Sequence, residues 1–260
     1  MLNSLLIDEL SSVQIRRLIH DGWGTVIVPL GATEQHGPAL PLCVDNVHGV
    51  ETALRAARLL GKTLVGPIVT LGHSREHARF AGTVSISQTT LAGILHDVAE
   101  SHARTGFRLV YFWLGHGGDN PVLQAMLPRL ESKWPGCYVT GLRDLARYVS
   151  ETWDKVPLES GIALSASGSH AGEFETSMML AARPELVQME AAEQGNAAPF
   201  ESIEETMMNA GIDAVSANGV LGDQRPGNAE RGRFYLDTLA RYLAADLERA
   251  RTRIEEGRSE

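Results

Sequence analysis

Hydrophobic and polar positions along this chain switch repeatedly between helical and strand-like patterns. Ser11 and Ser12 cap an amphipathic stretch that runs to His20, Gly22 follows its end, and Gly24–Leu30 is a nearly unbroken apolar run that predicts a buried strand. Asn46–Leu60 has helical spacing, and Thr63–Leu71 reads as a strand interrupted by Gly66 and Pro67. Thr89–Arg104 predicts a helix stopped by Gly106. It is followed by a strand at Arg108–Leu114, a helix at Pro121–Trp134 and a short strand at Cys137–Thr140. Ser150–Ser169 and Met189–Asn209 show no clear period, and Ala229–Glu256 carries a long helical pattern with charges four apart. Strands alternating with helices of this length predict an α/β fold: a mostly parallel central sheet with helices on both faces.

In such sheets ligands gather at the carboxyl ends of the strands, and the polar clusters of this chain fall there. Glu34 and His36 follow the first strand, His73 and His77 the second, and Gly115-His116-Gly117-Gly118-Asp119-Asn120 the third. Glu34 and His36 are two residues apart and share a face if extended, while the glycine and prolines after them can fold Asp45 back beside them. A further cluster, Ser169–Thr176, contains His170, Glu173 and Glu175. On a helix, His170 and Glu173 share a face and Glu175 points elsewhere. Carboxylates mixed with imidazoles suit zinc, manganese or iron, and a bridging carboxylate can hold two ions.

The composition narrows the function without choosing it. At 260 residues, 43% hydrophobic and 21% charged, the chain is expected to form one domain over 1–260. A net charge of −9 with no dense basic run argues against nucleic acid or an anionic membrane as partner. Short apolar runs, the lack of a leader pattern and two isolated cysteines, Cys43 and Cys137, predict a cytoplasmic protein. Of the arginines near the motifs there are only Arg75, Arg79 and Arg225, too few for a phosphoryl-transfer site and enough to anchor one substrate carboxylate.

The motifs, in order, resemble those of the creatininase (creatinine amidohydrolase) family. Pro29–Asp45 is similar to its EQHG…LPL…D opening, Gly72–Ile86 to its second motif and Gly115–Asn120 to its glycine-rich third. His170–Leu180 resembles its HAG…ETS…ML segment and Gly219–Gly232 its late glycine stretch. The resemblance implies a dinuclear centre of two divalent ions (Zn, Mn or Fe), an amide substrate and a homo-oligomer, often a hexamer. It implies that Glu34, Asp45 and His116 hold one ion and His36 and Asp45 the other. In creatininase proper a glutamate at the Gly118 position also holds the second ion. Its absence makes creatinine an unexpected substrate and leaves Glu173 as the candidate replacement.

The expected reaction is attack of a metal-activated water on a C–N bond of an amide, cyclic amide or formamide. His170, of ordinary pKa near neutrality, is the expected proton donor to the departing nitrogen, with Glu175 assisting it. Gly117 and Gly118 offer backbone N–H groups to substrate, and Arg75 a charge. The alternatives are a peptide-trimming hydrolase in a biosynthetic pathway and a metal-stabilised binding or assembly protein without catalysis. His73 and His77 read as hydrogen-bonded supports and Cys43 as packing.

Overall fold

Four strands form the sheet: β1 (Thr25–Leu30), β2 (Thr63–Val65), β3 (Leu109–Leu114) and β4 (Tyr138–Gly141). They lie in the order β2-β1-β3-β4, and every pairing is parallel. The computed structural model describes residues 3–257, so the expected span 1–260 extends past it at both ends. Each residue of β1 and β3 is buried, which is why both strands read as apolar runs without alternation.

Parallel neighbours need crossover connections, and here helices make them. Helix α1 (Ser12–His20) precedes the sheet; α2 (Val44–Leu60) links β1 to β2, α3 (Gln88–Thr105) links β2 to β3, and α4 (Asn120–Leu130) links β3 to β4. The chain moves one way along the sheet from β1 to β2 and the other way thereafter. Right-handed crossovers therefore put α2 on one face and α3 with α4 on the other. The packing agrees: α3 lies against α4, and α2 against two later helices, α8 (Glu173–Ala182) and α10 (Ala229–Gly257). The reversal of direction leaves a crevice at the carboxyl ends of β1 and β3.

Local chemistry sets several boundaries. Ser11 and Gln14 form a reciprocal capping box on α1, and Gly106, at φ 104°, ends α3 in the left-handed region. β2 stops at Val65 and not at the expected Leu71, since Pro67 has no N–H for the ladder. Contact with β1 resumes at Val69, which donates to Pro29 (3.0 Å) and accepts from Gly31 (2.8 Å). α4 stops at Leu130, short of the expected Trp134, where the chain turns into β4.

The two segments without sequence period are largely helical. The first holds a π-helical turn, Ser150–Asp154, just after α5 (Leu145–Val149), then α6 (Lys155–Glu159) and α7 (Leu164–Ser167). The second contains most of α9 (Phe200–Ala210), whose Ile203 and Met207 pack with Ile212, Leu221 and Phe80 over the turn that carries His77. Among the described residues no helix is long and apolar enough to cross a membrane.

Candidate metal centre

Every sequence-predicted ligand except Glu173 reaches the crevice at the β1 and β3 ends. Glu34 and His36 lie on the loop after β1, which Gly37 (φ 70°) turns and a bond from Glu34 N–H to the Leu42 carbonyl (3.1 Å) closes. α2 begins two residues earlier than its sequence pattern suggests, so Asp45 sits in its first turn, where the helix dipole favours a carboxylate. His116 leaves β3 after Gly115. A Cβ on residue 115 would lie 2.6 Å from the Asp45 carbonyl oxygen and 2.8 Å from that of Leu30, so only glycine fits this junction.

The Asp45 carboxylate is shared between two donor groups. Its Oδ2 is 3.2 Å from His116 Nδ1, which is also 3.5 Å from Glu34 Oε2. Its Oδ1 is 3.3 Å from His36 Nε2, which is also 3.7 Å from Glu175 Oε1. The remaining ring nitrogens are engaged elsewhere: His36 Nδ1 donates to the Glu34 carbonyl (3.1 Å) and His116 Nε2 to the His73 carbonyl (3.2 Å). These bonds leave His36 Nε2 and His116 Nδ1 aimed into the cluster, where a cation can take the place of a proton. Glu34 Oε2, His36 Nε2 and Asp45 Oδ2 are buried without a hydrogen-bond partner. Zinc–ligand bonds of about 2.0–2.2 Å in tetrahedral geometry place neighbouring ligand atoms about 3.4 Å apart, which the observed separations bracket. The residues present fit a pair of divalent cations.

Electrostatics point the same way. Burial penalises a proton on His36, yet Asp45 and Glu175 outweigh it and hold the pKa well above the ordinary value. His116 is raised likewise against its burial, by Glu34 and Asp45. Burial disfavours the Asp45 charge, but His36 and His116 hold its pKa well below the carboxylate range. Burial pushes Glu34 up to about 7 against the pull of His116. The pocket thus retains positive charge at the positions where the two donor groups converge.

Gln35 ties the adjoining histidines together. Its side-chain amide donates to His77 Nδ1 (2.9 Å) and to the Gly219 carbonyl (3.1 Å), so His77 Nε2 carries a proton toward Glu34 Oε1 (3.5 Å). His170 Nε2 donates to the Gln35 carbonyl (2.8 Å), which leaves His170 Nδ1 bare, 3.7 Å from Glu34 Oε1. The His170 ring lies between those of His36 and His77, with centroids 4.3 and 4.5 Å away. Burial, aided by the charge of His36, lowers His170 to about 4 and not to the near-neutral value expected from sequence.

The structure corrects the role given to Glu173. The chain enters α8 through Ala171 in the left-handed region (φ 56°), so His170 stands outside the helix and its three-residue spacing to Glu173 has no helical meaning. Glu175 turns to His36 instead. Glu173 is fully buried away from the cluster, accepting bonds from Ser177 Oγ (2.6 Å), Arg231 Nε (2.8 Å) and Tyr235 OH (3.2 Å).

Gly118 has a steric reason beside the lost ligand. A Cβ there would lie 2.4 Å from His116 Nε2 and 2.7 Å from the His73 carbonyl oxygen, the two atoms that orient the His116 ring. Gly118→Glu is therefore expected to lower metal content by displacing His116, and elemental analysis showing a gain would contradict this packing. Gly117 is exposed beside His116. Arg75 lines a cleft of about 520 Å³ with His73, Ser85, Ser87 and Gln88, while Arg79 and Arg225 are paired with Asp213 and Asp223. Asp119, fully buried, accepts from His73 N–H (2.8 Å) and is pushed by burial up to about 6.

Two residues bordering the cluster carry no motif signal of their own: Gln35, between two of the ligands, and His48, three residues after Asp45 in a regular helical pattern, with Nε2 3.6 Å from Asp45 Oδ1. His77, read only as a support, faces Glu34 directly.

Comparison with known proteins agrees with this geometry. The family model described as "Creatininase: Creatinine amidohydrolase" matches residues 8–247. The chain is 33% identical over 226 residues to the mycofactocin precursor peptide peptidase of Mycobacterium ulcerans (strain Agy99), covering 81% of this chain and 79% of that protein. It is 25% identical to the creatinine amidohydrolase of Pseudomonas putida, covering 94% and 96% of the two chains. A solved creatininase mutant described as Zn-Zn type superposes with a TM-score of 0.79 at 25% identity, covering 96% of this chain and 99% of that one. With its ordered motifs converging on one crevice and the family model spanning nearly the whole sequence, the chain belongs to the creatininase family and is a metal-binding amidohydrolase of carbon–nitrogen bonds.

Proposed function

We propose that the chain acts as a single domain that hydrolyses the C–N bond of a small amide, cyclic amide or formamide, with Glu34, His36, Asp45, His116 and Glu175 holding two divalent ions. The observation that carries this reading is the Asp45 carboxylate, each oxygen of which faces a separate donor group. Zinc, manganese or iron bound there would supply a hydroxide at neutral pH and polarise the scissile carbonyl.

The chain's own residues do the rest. His170 is neutral at pH 7 and presents its Nδ1 lone pair beside Glu34, so it can take a proton from the attacking water and return it to the departing nitrogen. Gln35 keeps that ring in one tautomer by accepting from Nε2. Arg75, in no ion pair among the described residues, is placed in its cleft to hold a substrate carboxylate. The backbone N–H groups of Gly117 and Gly118 are assigned to the substrate carbonyl. By family resemblance the working form is a homo-oligomer, a hexamer, and its composition places it in the cytoplasm.

Elemental analysis combined with an amide panel tests this. Near two ions per chain are expected, with turnover abolished by chelator and restored by one of the three metals. One ion or fewer after metal loading, or turnover indifferent to chelator, would overturn the reading. A second reading, trimming of a peptide, is favoured by the 33% identity to a precursor peptide peptidase. Short peptides in the same panel separate it, since release of a terminal residue or fragment appears directly by mass.

A further inference from the structure

His48, in the crevice beside Asp45, is given no part in the proposed chemistry. It is 2% exposed, and neither ring nitrogen has a hydrogen-bond partner. A buried polar atom left unpaired is destabilising, so both nitrogens of a resident imidazole are not left unpaired without a reason. His48 lies one helical turn after Asp45 and on the same face of α2, with Nε2 3.6 Å from Asp45 Oδ1. That is too long for a hydrogen bond and close to the spacing of two ligands sharing one cation. The same oxygen faces His36 Nε2, and ligand atoms of Asp45, His48 and Glu175 all fall within 4.8 Å of one another. Trp153 meets the His48 ring edge to face at 6.4 Å, and is itself fixed by a bond to the Tyr148 hydroxyl (3.1 Å).

We infer that His48 is a ligand of the second metal ion, completing with its Nε2 the group formed by His36, Asp45 and Glu175. It stands in for the glutamate whose position is Gly118 here, and it comes from a different element, the first turns of α2. This inference rests on the two-ion reading above. The centre then has two imidazoles and two carboxylates on the second ion, against one imidazole and two carboxylates on the first. Such a site accepts borderline cations such as zinc and iron more readily than one built from oxygen donors alone.

The test is cobalt titration of metal-free full-length protein, comparing wild type with His48→Gln and, as a second variant that keeps the packing volume apolar, His48→Leu. Two cobalt ions are expected in wild type. Both variants should keep the first ion and bind the second about 10–100-fold more weakly. Proton NMR of the cobalt-loaded proteins should show one fewer exchangeable, paramagnetically shifted imidazole N–H signal in each variant. Unfolding of the metal-free proteins checks that each variant folds. Two tightly bound ions and an unchanged signal count in the variants would overturn the assignment while leaving the two-ion reading intact. Fewer than two ions in wild type would overturn both.

Discussion

Asp45→Ala is expected to leave the protein with well below one ion per chain and to reduce amide hydrolysis on the order of 10³-fold or more. No other single side chain has this reach. Oδ2 serves the His116 and Glu34 group while Oδ1 serves His36, so one substitution removes an anionic donor from both. The same carboxylate supplies much of the negative charge that His36 and His116 see in the metal-free pocket, so it also sets the field that draws cations in. Elemental analysis of protein purified without chelator, with turnover measured on the same sample, checks this. Two ions retained by the variant would contradict a bridging role, and one ion retained with activity intact would confine Asp45 to a single group. His36→Ala provides a graded comparison, since it touches only the second group and should lose one ion first.

Glu173→Gln is expected to do the opposite: to unfold at a lower temperature while keeping its metal. The Glu173 carboxylate joins the first turn of α8 to the first two turns of α10 through Arg231 and Tyr235. Ser177 extends the same network to the backbone N–H of Asn228 (2.9 Å). Removing one partner of a buried ion pair costs about 3–5 kcal/mol. The Arg231 side chain is 27% exposed and can turn its charge toward water, which reduces the loss to about 2–4 kcal/mol. For a chain of this size that corresponds to a fall of roughly 5–15 °C in melting temperature. A melting curve and a metal analysis together decide: loss of an ion with an unchanged melting temperature would return Glu173 to the metal centre.

Glu173 and Glu175 also show where sequence reasoning reached its limit. A helical projection from His170 favours Glu173 over Glu175, but which carboxylate faces His36 depends on where α8 begins. That start is set by Ala171, an L-residue with a side chain in a conformation that favours glycine, and nothing in the local sequence signals it. The β1 loop was legible for the converse reason. Glu34, His36 and Asp45 are bracketed by an apolar strand, a glycine, two prolines and a helix, so strand-end topology and turn chemistry agree on one arrangement. The order of strands was not readable from periodicity, although the expectation of a parallel sheet covered on both faces matches what forms. His48 carried a usable signal, its three-residue spacing from Asp45, that was hidden by the regular apolar pattern around it.

The glycine at the β3 exit has a further consequence, for divergence. Because the Gly115 backbone rests against the carbonyls of Leu30 and Asp45 with no side chain between them, the placement of Asp45 relative to His116 is written in main-chain contacts. Helices outside that junction can exchange most of their side chains, and the cleft beyond it can be reshaped for another amide, without moving the pair. Relatives that share only a quarter to a third of their residues with this chain can in this way inherit one hydrolytic centre and apply it to different molecules.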